Sequence, residues 1–400
     1  MNKGKTKWLN VILLVIMFLI SMFATGIAAY FYGKSFREIF MLLIVSAASF
    51  GSVIFSFEQS NIYQRLHYDN GEHYARFVVM FIISIIAGCM LPFLPSGGWA
   101  VPAIALALTL FSNTTTGLMA YAGVLGICVY FSDASILVFL SYFLLGAIFA
   151  ILFEGLDEDY RTGAPMMVAV TLYTVVMVAK IMFENQGIPE LELFIIPVIN
   201  VFITVLLMLA VLRLYCAAVI DKEKGKFLVI NDQEFPLLAK YKEENEQLYY
   251  NAIHTAYFAE KAARMLHMDV NVAKCGGYYH KIVVVECRKE EKSLEEICKM
   301  YKFPPNAVRL LQEYNYKALT MKMKETVVVY LADSVVSSIM YLLEKEQKSE
   351  INYGKIATAI IRRKVDSGIL NESDISLSEL GGMEKIFTGE KLYYDFLRRE

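Results

Sequence analysis

The chain has 400 residues, of which 56% are hydrophobic, and its mean hydropathy of +0.46 is too high for an ordinary soluble protein of this length. Residues 1–220 hold only 10 of the 38 Lys and Arg residues and 12 of the 40 Asp and Glu residues. Residues 221–400 hold 28 of each and so carry no formal net charge. This composition predicts a lipid-embedded half and a soluble half, and the charge balance excludes an obvious DNA- or RNA-binding protein.

Eight apolar runs of roughly 20 residues in the first half predict eight membrane spans. They cover residues 8–31, 37–57, 76–94, 99–112, 115–132, 134–153, 164–183 and 191–219. The short polar stretch 113–116, which overlaps the start of the fifth run, is all that separates the fourth run from the fifth. Lys180 lies near the end of the seventh run, and we expect its ammonium group to reach the lipid headgroups.

Basic residues near the span ends predict the orientation of the chain in the membrane. Three precede the first span and three follow the last: Lys3, Lys5, Lys7, Lys222, Lys224 and Lys226. Both termini are therefore expected in the cytoplasm of a multi-pass cell-membrane protein, which requires an even number of spans. The predicted outer connections are short, so we expect no extracellular domain.

The second half has the apolar spacing of helices throughout, so it is predicted to be an all-α domain. After a charged linker over 221–235, helices are expected at 236–248, 249–267, 270–283, 293–301, 304–316, 322–346, 351–368 and 376–387. The six cysteines have no close-spaced pair, which indicates reduced thiols with neither disulfides nor a zinc site.

Two polar residues stand out in apolar, helix-like surroundings of this half. His280 lies in the sequence GGYYHKI and Asp333 in LADSV. A His and an Asp from distant helices could share a metal ion. The residue after His280 is Lys281, however, which places a cation where a metal site would favour an anion.

Five segments of the second half resemble those of the HD-domain phosphohydrolases. Residues 251–263 resemble the opening helix of that family, residues 278–282 its Y-H-D-I-G-K motif, and residues 324–335 its last ligand helix. Residues 365–370 with 376–380 are similar to the closing segment of the seven-transmembrane HD branch, which includes cyclic di-AMP phosphodiesterases. The resemblance implies an all-α HD domain beneath a helical membrane domain.

The resemblance also implies a division of the chain. It assigns 1–35 to an N-terminal tail and first span, 36–220 to a seven-helix membrane domain, 221–235 to a linker and 236–400 to the HD-type domain. Members of this branch carry an extracellular domain after the first span. This chain is expected to lack it.

Active HD domains hold two divalent metal ions, manganese or iron, in His and Asp ligands. Position by position, most of those ligands are replaced here. The site positions implied by the resemblance are Asn251, His280, Lys281, Tyr314, Asn315 and Asp333, of which only His280 and Asp333 keep the family residue. We therefore expect no metal and no other cofactor, and two metals only if the site is active.

The sequence thus favours a membrane-anchored HD pseudoenzyme. It would bind a nucleotide such as a cyclic dinucleotide, or a membrane-protein partner, through Lys281 and His280. A lysine ammonium group can hold a phosphate as a point charge. The alternatives are an active metal-dependent phosphohydrolase with a rearranged site, and a transporter-like or scaffold protein that uses the HD fold as a dock.

Plainer structural roles stay open for each of these residues. His280 could be a core histidine that is hydrogen-bonded to a neighbour. Asp333 could form an ion pair with Lys281. Asn251 could be an amide with no ligand role.

Overall fold

The computed structural model describes residues 3–63, 65–154, 162–185, 190–287, 292–316, 320–345 and 352–389. Every regular element in these ranges is helical, so the predicted all-α fold class is confirmed for this part of the chain. The chain divides into two compact units, Met1–Asp221 and Lys222–Glu400. Each has an apolar core of its own.

The described part of the first unit has eight α-helices: α1 (Lys3–Phe31), α2 (Phe36–Ile62), α3 (Tyr74–Met90), α4 (Val101–Leu110), α5 (Thr114–Ser132), α6 (Ile136–Leu152), α7 (Gly163–Glu184) and α8 (Ile195–Tyr215). Polar side chains cap the N-termini of two of these helices. Ser35 and Glu38 form a capping box before α2. The Asn113 side chain accepts a hydrogen bond from the backbone N–H of Thr116 and so caps α5.

Seven helices in the described ranges are long and apolar enough to cross a membrane, and the chain is a membrane protein. Six lie at predicted spans: Trp8–Phe31, Phe36–Ile62, Tyr74–Phe93, Thr114–Ser132, Gly163–Phe183 and Leu191–Ile230. At 17 residues, α6 is at the lower limit for a span. The 10 residues of α4 extend only about 15 Å, half the hydrocarbon thickness. The prediction of a complete helical span over 99–112 is therefore wrong.

Connections gather at one end of the first unit. Lys34, between α1 and α2, has its Nζ atom 2.9 Å from Oδ1 of Asp133, between α5 and α6. The ring of Tyr32 stacks on that of Phe93, in the connection between α3 and α4, with centroids 5.0 Å apart. These three connections share one face.

Other connections gather at the opposite end. The backbone N–H of His67, between α2 and α3, donates to the carbonyl of Ser112, between α4 and α5, at 3.0 Å. The ring of Tyr68 packs edge-on against Tyr215, the last residue of α8. The segment between α3 and α5 therefore crosses the unit, first as irregular backbone and then as α4. Together with α1–α3 and α5–α8, this segment gives the described part of the first unit eight crossings. The beginning of α1 and the end of α8 therefore lie on the same face.

The irregular part of this crossing is held by side chains inside the unit. The amide nitrogen of Asn200 lies 3.0 Å from the carbonyl oxygen of Gly97 and 3.1 Å from that of Trp99. Asn200 is 1% exposed and Trp99 is fully buried. Irregular backbone is stable at membrane depth only where protein groups satisfy its carbonyls, and Asn200 does so here.

Lys180 lies in the same region. Only 5% of it is exposed, and its Nζ atom lies 3.1 Å from the hydroxyl of Ser96. The expectation that Lys180 extends to the lipid headgroups is therefore wrong. A polar partner inside the protein replaces the headgroup contact.

The segment that leads into the second unit is helical. A π-helix, Cys216–Ile220, follows α8 and continues directly into α9 (Asp221–Ile230). Phe227 and Ile230 of α9 are buried in the core of the second unit. The buried hydroxyl of Tyr279 donates to the carbonyl of Ile230 at 2.7 Å. Most of the predicted linker over 221–235 is thus a core helix.

The other described helices of the second unit are α10 (Pro236–Glu244), α11 (Glu246–Met265), α12 (Val270–Tyr279), α13 (Leu294–Met300), α14 (Pro305–Asn315), α15 (Lys324–Lys345), α16 (Tyr353–Asp366) and α17 (Leu377–Gly389). They lie at the eight predicted positions, with ends that differ by up to four residues. A turn with a π-helix, Val283–Cys287, follows α12.

The seventh long apolar helix, Lys324–Leu343, belongs to α15 in the second unit. It packs against α11, α12, α14, α16 and α17. Eight of its apolar residues are at most 1% exposed: Val327, Val328, Val329, Leu331, Ala332, Val335, Val336 and Ile339. Because other helices cover α15 on several sides, its apolar residues form part of the core. We therefore describe α15 as the central helix of the second unit.

Candidate functional site

Two glycines allow α12 to lie against its neighbours. A Cβ atom on Gly277 would lie 2.3 Å from the Cα atom of Ala256 in α11. One on Gly276 would lie 2.5 Å from a methyl carbon of Leu310 in α14. Only glycine fits such a close approach of backbone to backbone. The approach brings the end of α12, with His280 and Lys281, beside α11.

Lys281 points its ammonium group at three oxygen atoms. Its Nζ atom lies 2.9 Å from Oδ1 of Asn251, 3.1 Å from Oδ1 of Asp333 and 3.4 Å from the hydroxyl of Ser337. The Lys281 side chain is 24% exposed. The ion pair with Asp333, one of the roles that the sequence left open, is present.

The orientation of the Asn251 amide follows from these contacts. Its nitrogen donates to the Ser337 hydroxyl at 2.9 Å, and that hydroxyl donates to Oδ1 of Asp333 at 2.7 Å. The amide oxygen therefore faces Lys281 and His280. Reversing the amide would set its NH₂ group against the lysine ammonium group, donor against donor.

His280 is fully buried and has oxygen acceptors at both ring nitrogens. Its Nδ1 atom lies 2.7 Å from the carbonyl oxygen of Gly277. Its Nε2 atom lies 3.1 Å from Oδ1 of Asn251 and 3.3 Å from Oδ1 of Asp333. The carbonyl, the amide oxygen and the carboxylate are all hydrogen-bond acceptors, so the buried ring of His280 is enclosed by acceptors at both nitrogens.

Asp333 is the acceptor on which the site converges. His280, Lys281 and Ser337 reach its Oδ1 atom, and the Tyr314 hydroxyl donates to Oδ2 at 2.6 Å. Burial disfavours its ionisation. The charge and hydrogen bond of His280, the charge of Lys281 and the Tyr314 hydrogen bond outweigh burial and hold the pKa of Asp333 well below its usual range. Asp333 is therefore a stable anion.

Tyr314 and Asn315 are two of the site positions implied by the resemblance, and they differ in role. The Tyr314 ring packs edge-on against His280, with centroids 5.3 Å apart. Burial and the neighbouring Asp333 raise the pKa of Tyr314, so its hydroxyl stays protonated and donates. The Asn315 side chain donates to the carbonyl of Leu311 in its own helix and stays outside the site.

We call the joined residues the Asp333 cluster: Asn251, His280, Lys281, Tyr314, Asp333 and Ser337. The sequence predicted all of these positions except Ser337. The signal for Ser337 was its place four residues after Asp333, which puts both on one face of α15.

Glu313 is a second residue that sequence reasoning missed. Its Oε2 atom accepts from the backbone N–H groups of Lys322 and Met323 and from the hydroxyl of Thr326. The contact ties the start of α15 to α14. It therefore helps to hold Tyr314, the next residue of α14, against Asp333.

The HD resemblance implies two divalent metal ions, and the residues present do not fit them. In the described ranges no three His, Cys, Asp or Glu side chains lie close enough to hold a metal ion. Both oxygens of Asp333 already accept from protein donors. Lys281 also sets a positive charge 3.1 Å from one of them, where it would repel a metal cation.

No protein-family model and no curated protein matches the chain. The solved structures that are similar to it include two of the HD domain of L. monocytogenes phosphodiesterase PgpH, one of them in complex with cyclic-di-AMP. They are 17% and 18% identical, cover 40% and 41% of this chain and 99% of their own, and have a TM-score of 0.32. At this level the similarity carries no inference about catalysis or ligand.

Gly277→Ala should lower the free energy of unfolding by about 3 kcal/mol, because the new Cβ atom must push α12 away from α11. Gly381→Ala is the matched control, since nothing lies within 4 Å of its Cβ position. That change should stabilise α17 by up to about 1 kcal/mol. Thermal unfolding of the full chain in detergent measures both. If Gly277→Ala and Gly381→Ala changed the free energy of unfolding by the same sign and size, close packing would not explain why residue 277 is a glycine.

Asp333→Asn should cost about 3 kcal/mol of stability at pH 7, because the largely buried Lys281 ammonium group loses its carboxylate partner. In the unaltered protein the pKa of Asp333 is lower in the folded state than in the unfolded state. Its contribution is therefore complete above the ordinary pKa of about 3.9 and is lost as the pH falls below it.

The melting temperature should consequently fall less between about pH 5 and pH 2.5 in the Asn variant than in the unaltered protein. Circular dichroism melts across that range measure both slopes. Parallel slopes would mean that Asp333 does not titrate as this environment requires.

Proposed function

We propose that the second unit is a phosphate-ligand binding domain that does not hydrolyse its ligand. Lys281 supplies the positive charge that metal ions supply in an active HD domain. The ligand class is a nucleotide, and cyclic di-AMP is the first to test because a similar domain has been solved with it. The domain belongs to a membrane protein, so its surroundings are the bilayer and other membrane proteins.

The position of Lys281 carries this proposal. Its ammonium group contacts Asp333, Asn251 and Ser337, and its side chain is 24% exposed. The partly exposed Lys281 side chain favours a phosphate, which Lys binds as a compact point charge.

The same contacts disfavour hydrolysis. Phosphodiester cleavage requires an activated water, which metal ions supply in HD domains. His280 is fully buried and both of its ring nitrogens face acceptor oxygens of the protein, which leaves neither nitrogen open to a water molecule. Asp333 accepts four hydrogen bonds or ion-pair contacts and cannot serve as a free base. Binding without cleavage is the chemistry that this arrangement supports.

Lys281→Met in the full chain should weaken cyclic di-AMP binding at least tenfold, because a charge-assisted contact to phosphate is lost. Lys281→Asp should weaken it further and also destabilise the fold, since two carboxylates would meet. Isothermal titration in detergent measures affinity, and chromatography of the nucleotide after incubation with manganese detects cleavage. We expect no cleavage by any of the three proteins.

Lys274→Met is the matched control, because Lys274 lies on α12, shortly before Lys281, and pairs with Glu260 at 2.9 Å. It should leave the affinity within about twofold. Cleavage by the unaltered protein, or two equivalents of bound metal by elemental analysis, would overturn the proposal. Unchanged binding by Lys281→Met would overturn the assigned phosphate site.

We infer that both ends of the first unit face the cytoplasm. The beginning of α1 and the end of α8 lie on one face, and basic residues flank both. Reporter fusions at residue 1 and after residue 225 should both give cytoplasmic signals. An external signal from either fusion would contradict this topology.

A further inference from the structure

A groove of about 700 Å³ lies between α2 and α5 of the first unit. It is lined by α2 from Ala47 onward, by Tyr63 and Arg65 after that helix, and by the beginning of α5. The hydroxyl groups of Ser56 and Thr116 lie 2.9 Å apart and join the two helices. The groove therefore belongs to a helix pair that is held together by its own contacts.

The groove extends across about one leaflet of the membrane. From Ala47 to Gln59, α2 rises about 18 Å, and the hydrocarbon core of one leaflet is about 15 Å thick. Arg65 follows the end of α2, and its carbonyl oxygen accepts from the side chain of Asn113, which caps α5, at 3.4 Å. One end of the groove is therefore at the membrane surface and the other is near the middle of the bilayer.

The part deeper in the membrane offers apolar surface. A Cβ atom on Gly51 would have nothing within 4 Å, so space is open there, and the exposed Phe55 and Met119 also line the groove. The Ser52 hydroxyl donates to a carbonyl of its own helix at 2.9 Å, and the Ser56 hydroxyl is joined to α5. Because its hydroxyl groups are already hydrogen-bonded, this part suits a hydrocarbon chain.

The surface end has polar groups that the described protein does not use. The Arg65 side chain is exposed, and its guanidinium carbon lies 5.5 Å from the centre of the Tyr63 ring. Among the described residues, no carboxylate lies within ion-pair distance of this guanidinium group, and the half-buried amide of Gln59 has no hydrogen-bond partner. Both residues line the groove, so a guanidinium group and an amide are available to a ligand.

These groups favour a phosphate headgroup with a net negative charge. The guanidinium group presents its N–H groups in a planar fork that fits two oxygens of a phosphate. Basic pockets between transmembrane helices bind anionic lipid headgroups in this way. A zwitterionic headgroup carries a cation of its own, which would lie close to Arg65 and offset the attraction.

We propose that this groove binds one anionic phospholipid, with its phosphate at Arg65 and Gln59 and one acyl chain between α2 and α5. By the topology inferred above, that lipid belongs to the cytoplasmic leaflet. The site lies in the first unit, so the inference does not depend on the phosphate site at Lys281.

The test measures binding of dioleoyl phosphatidylglycerol, which is anionic, and of dioleoyl phosphatidylcholine, which is zwitterionic, to the full chain in detergent. Native mass spectrometry counts the bound lipids and gives a Kd for each. The unaltered protein should bind one phosphatidylglycerol about tenfold more tightly than phosphatidylcholine, because only the anionic lipid neutralises Arg65. Arg65→Gln should raise the Kd of phosphatidylglycerol about tenfold and remove most of the preference.

Arg213→Gln is the matched control for charge. Arg213 is an exposed arginine in the last turn of α8, at the same face of the first unit, and does not line the groove. Its replacement should leave both Kd values within about twofold. Thermal melts identify any variant that loses affinity through unfolding.

Gly51→Leu tests the position of the acyl chain. The new side chain should occupy the open part of the groove and raise the Kd of phosphatidylglycerol about tenfold, because less of the acyl chain can be buried there. Gly126→Leu is the matched control, since its Cβ position also has nothing within 4 Å and Gly126 does not line the groove. That change should leave the Kd within about twofold.

Arg65→Gln and Gly51→Leu together separate a lipid from other occupants. A site for free phosphate would be weakened by Arg65→Gln and not by Gly51→Leu. A second copy of this chain in the groove would appear as a dimer that Gly51→Leu dissociates. Either result would overturn the proposal, as would equal Kd values for the two lipids or a preference that Arg65→Gln does not alter in a folded protein.

Discussion

A carboxylate among apolar helices must be compensated, and the second unit is arranged around that requirement. Asp333 lies on the central helix, and an isolated charge at this depth would cost several kcal/mol. Its partners come from the end of α12, from α14 and from its own helix. Asn251 of α11 links to it through Ser337 and Lys281. One negative charge therefore fixes the packing of four helices.

The way in which the charge is compensated also decides the chemistry. Metal ions would leave an exchangeable water and open coordination positions. A lysine, a histidine and two hydroxyl groups leave neither. Each of these donors already has an acceptor in the protein, and a ligand must compete for the partly exposed Lys281.

Polar groups impose a related requirement on the first unit. The backbone between α3 and α4 is irregular inside an apolar unit, and its carbonyls need donors. Asn200 supplies them from α8, and Lys180 of α7 contacts Ser96 of the same segment. Lys180 and Asn200 are polar residues in long apolar helices because they provide donors to the irregular segment between α3 and α4.

Sequence reasoning predicted the helices of the second unit well because their apolar spacing is local. It failed for the fourth span because a hydropathy average includes Trp99 and neighbouring apolar residues whether or not they are helical. The meeting of His280, Lys281 and Asp333 was predicted from their positions in known motifs.

The hydrogen bond from Tyr279 to Ile230 bears on where the second unit can be separated from the rest of the chain. A fragment that begins at residue 236, the predicted start of the HD-type domain, would lack the carbonyl oxygen of Ile230. The Tyr279 hydroxyl would then be buried without an acceptor. The fragment would also expose the core surface that Phe227 covers. The smallest self-sufficient fragment therefore has to include α9, although that helix continues directly from the last membrane span.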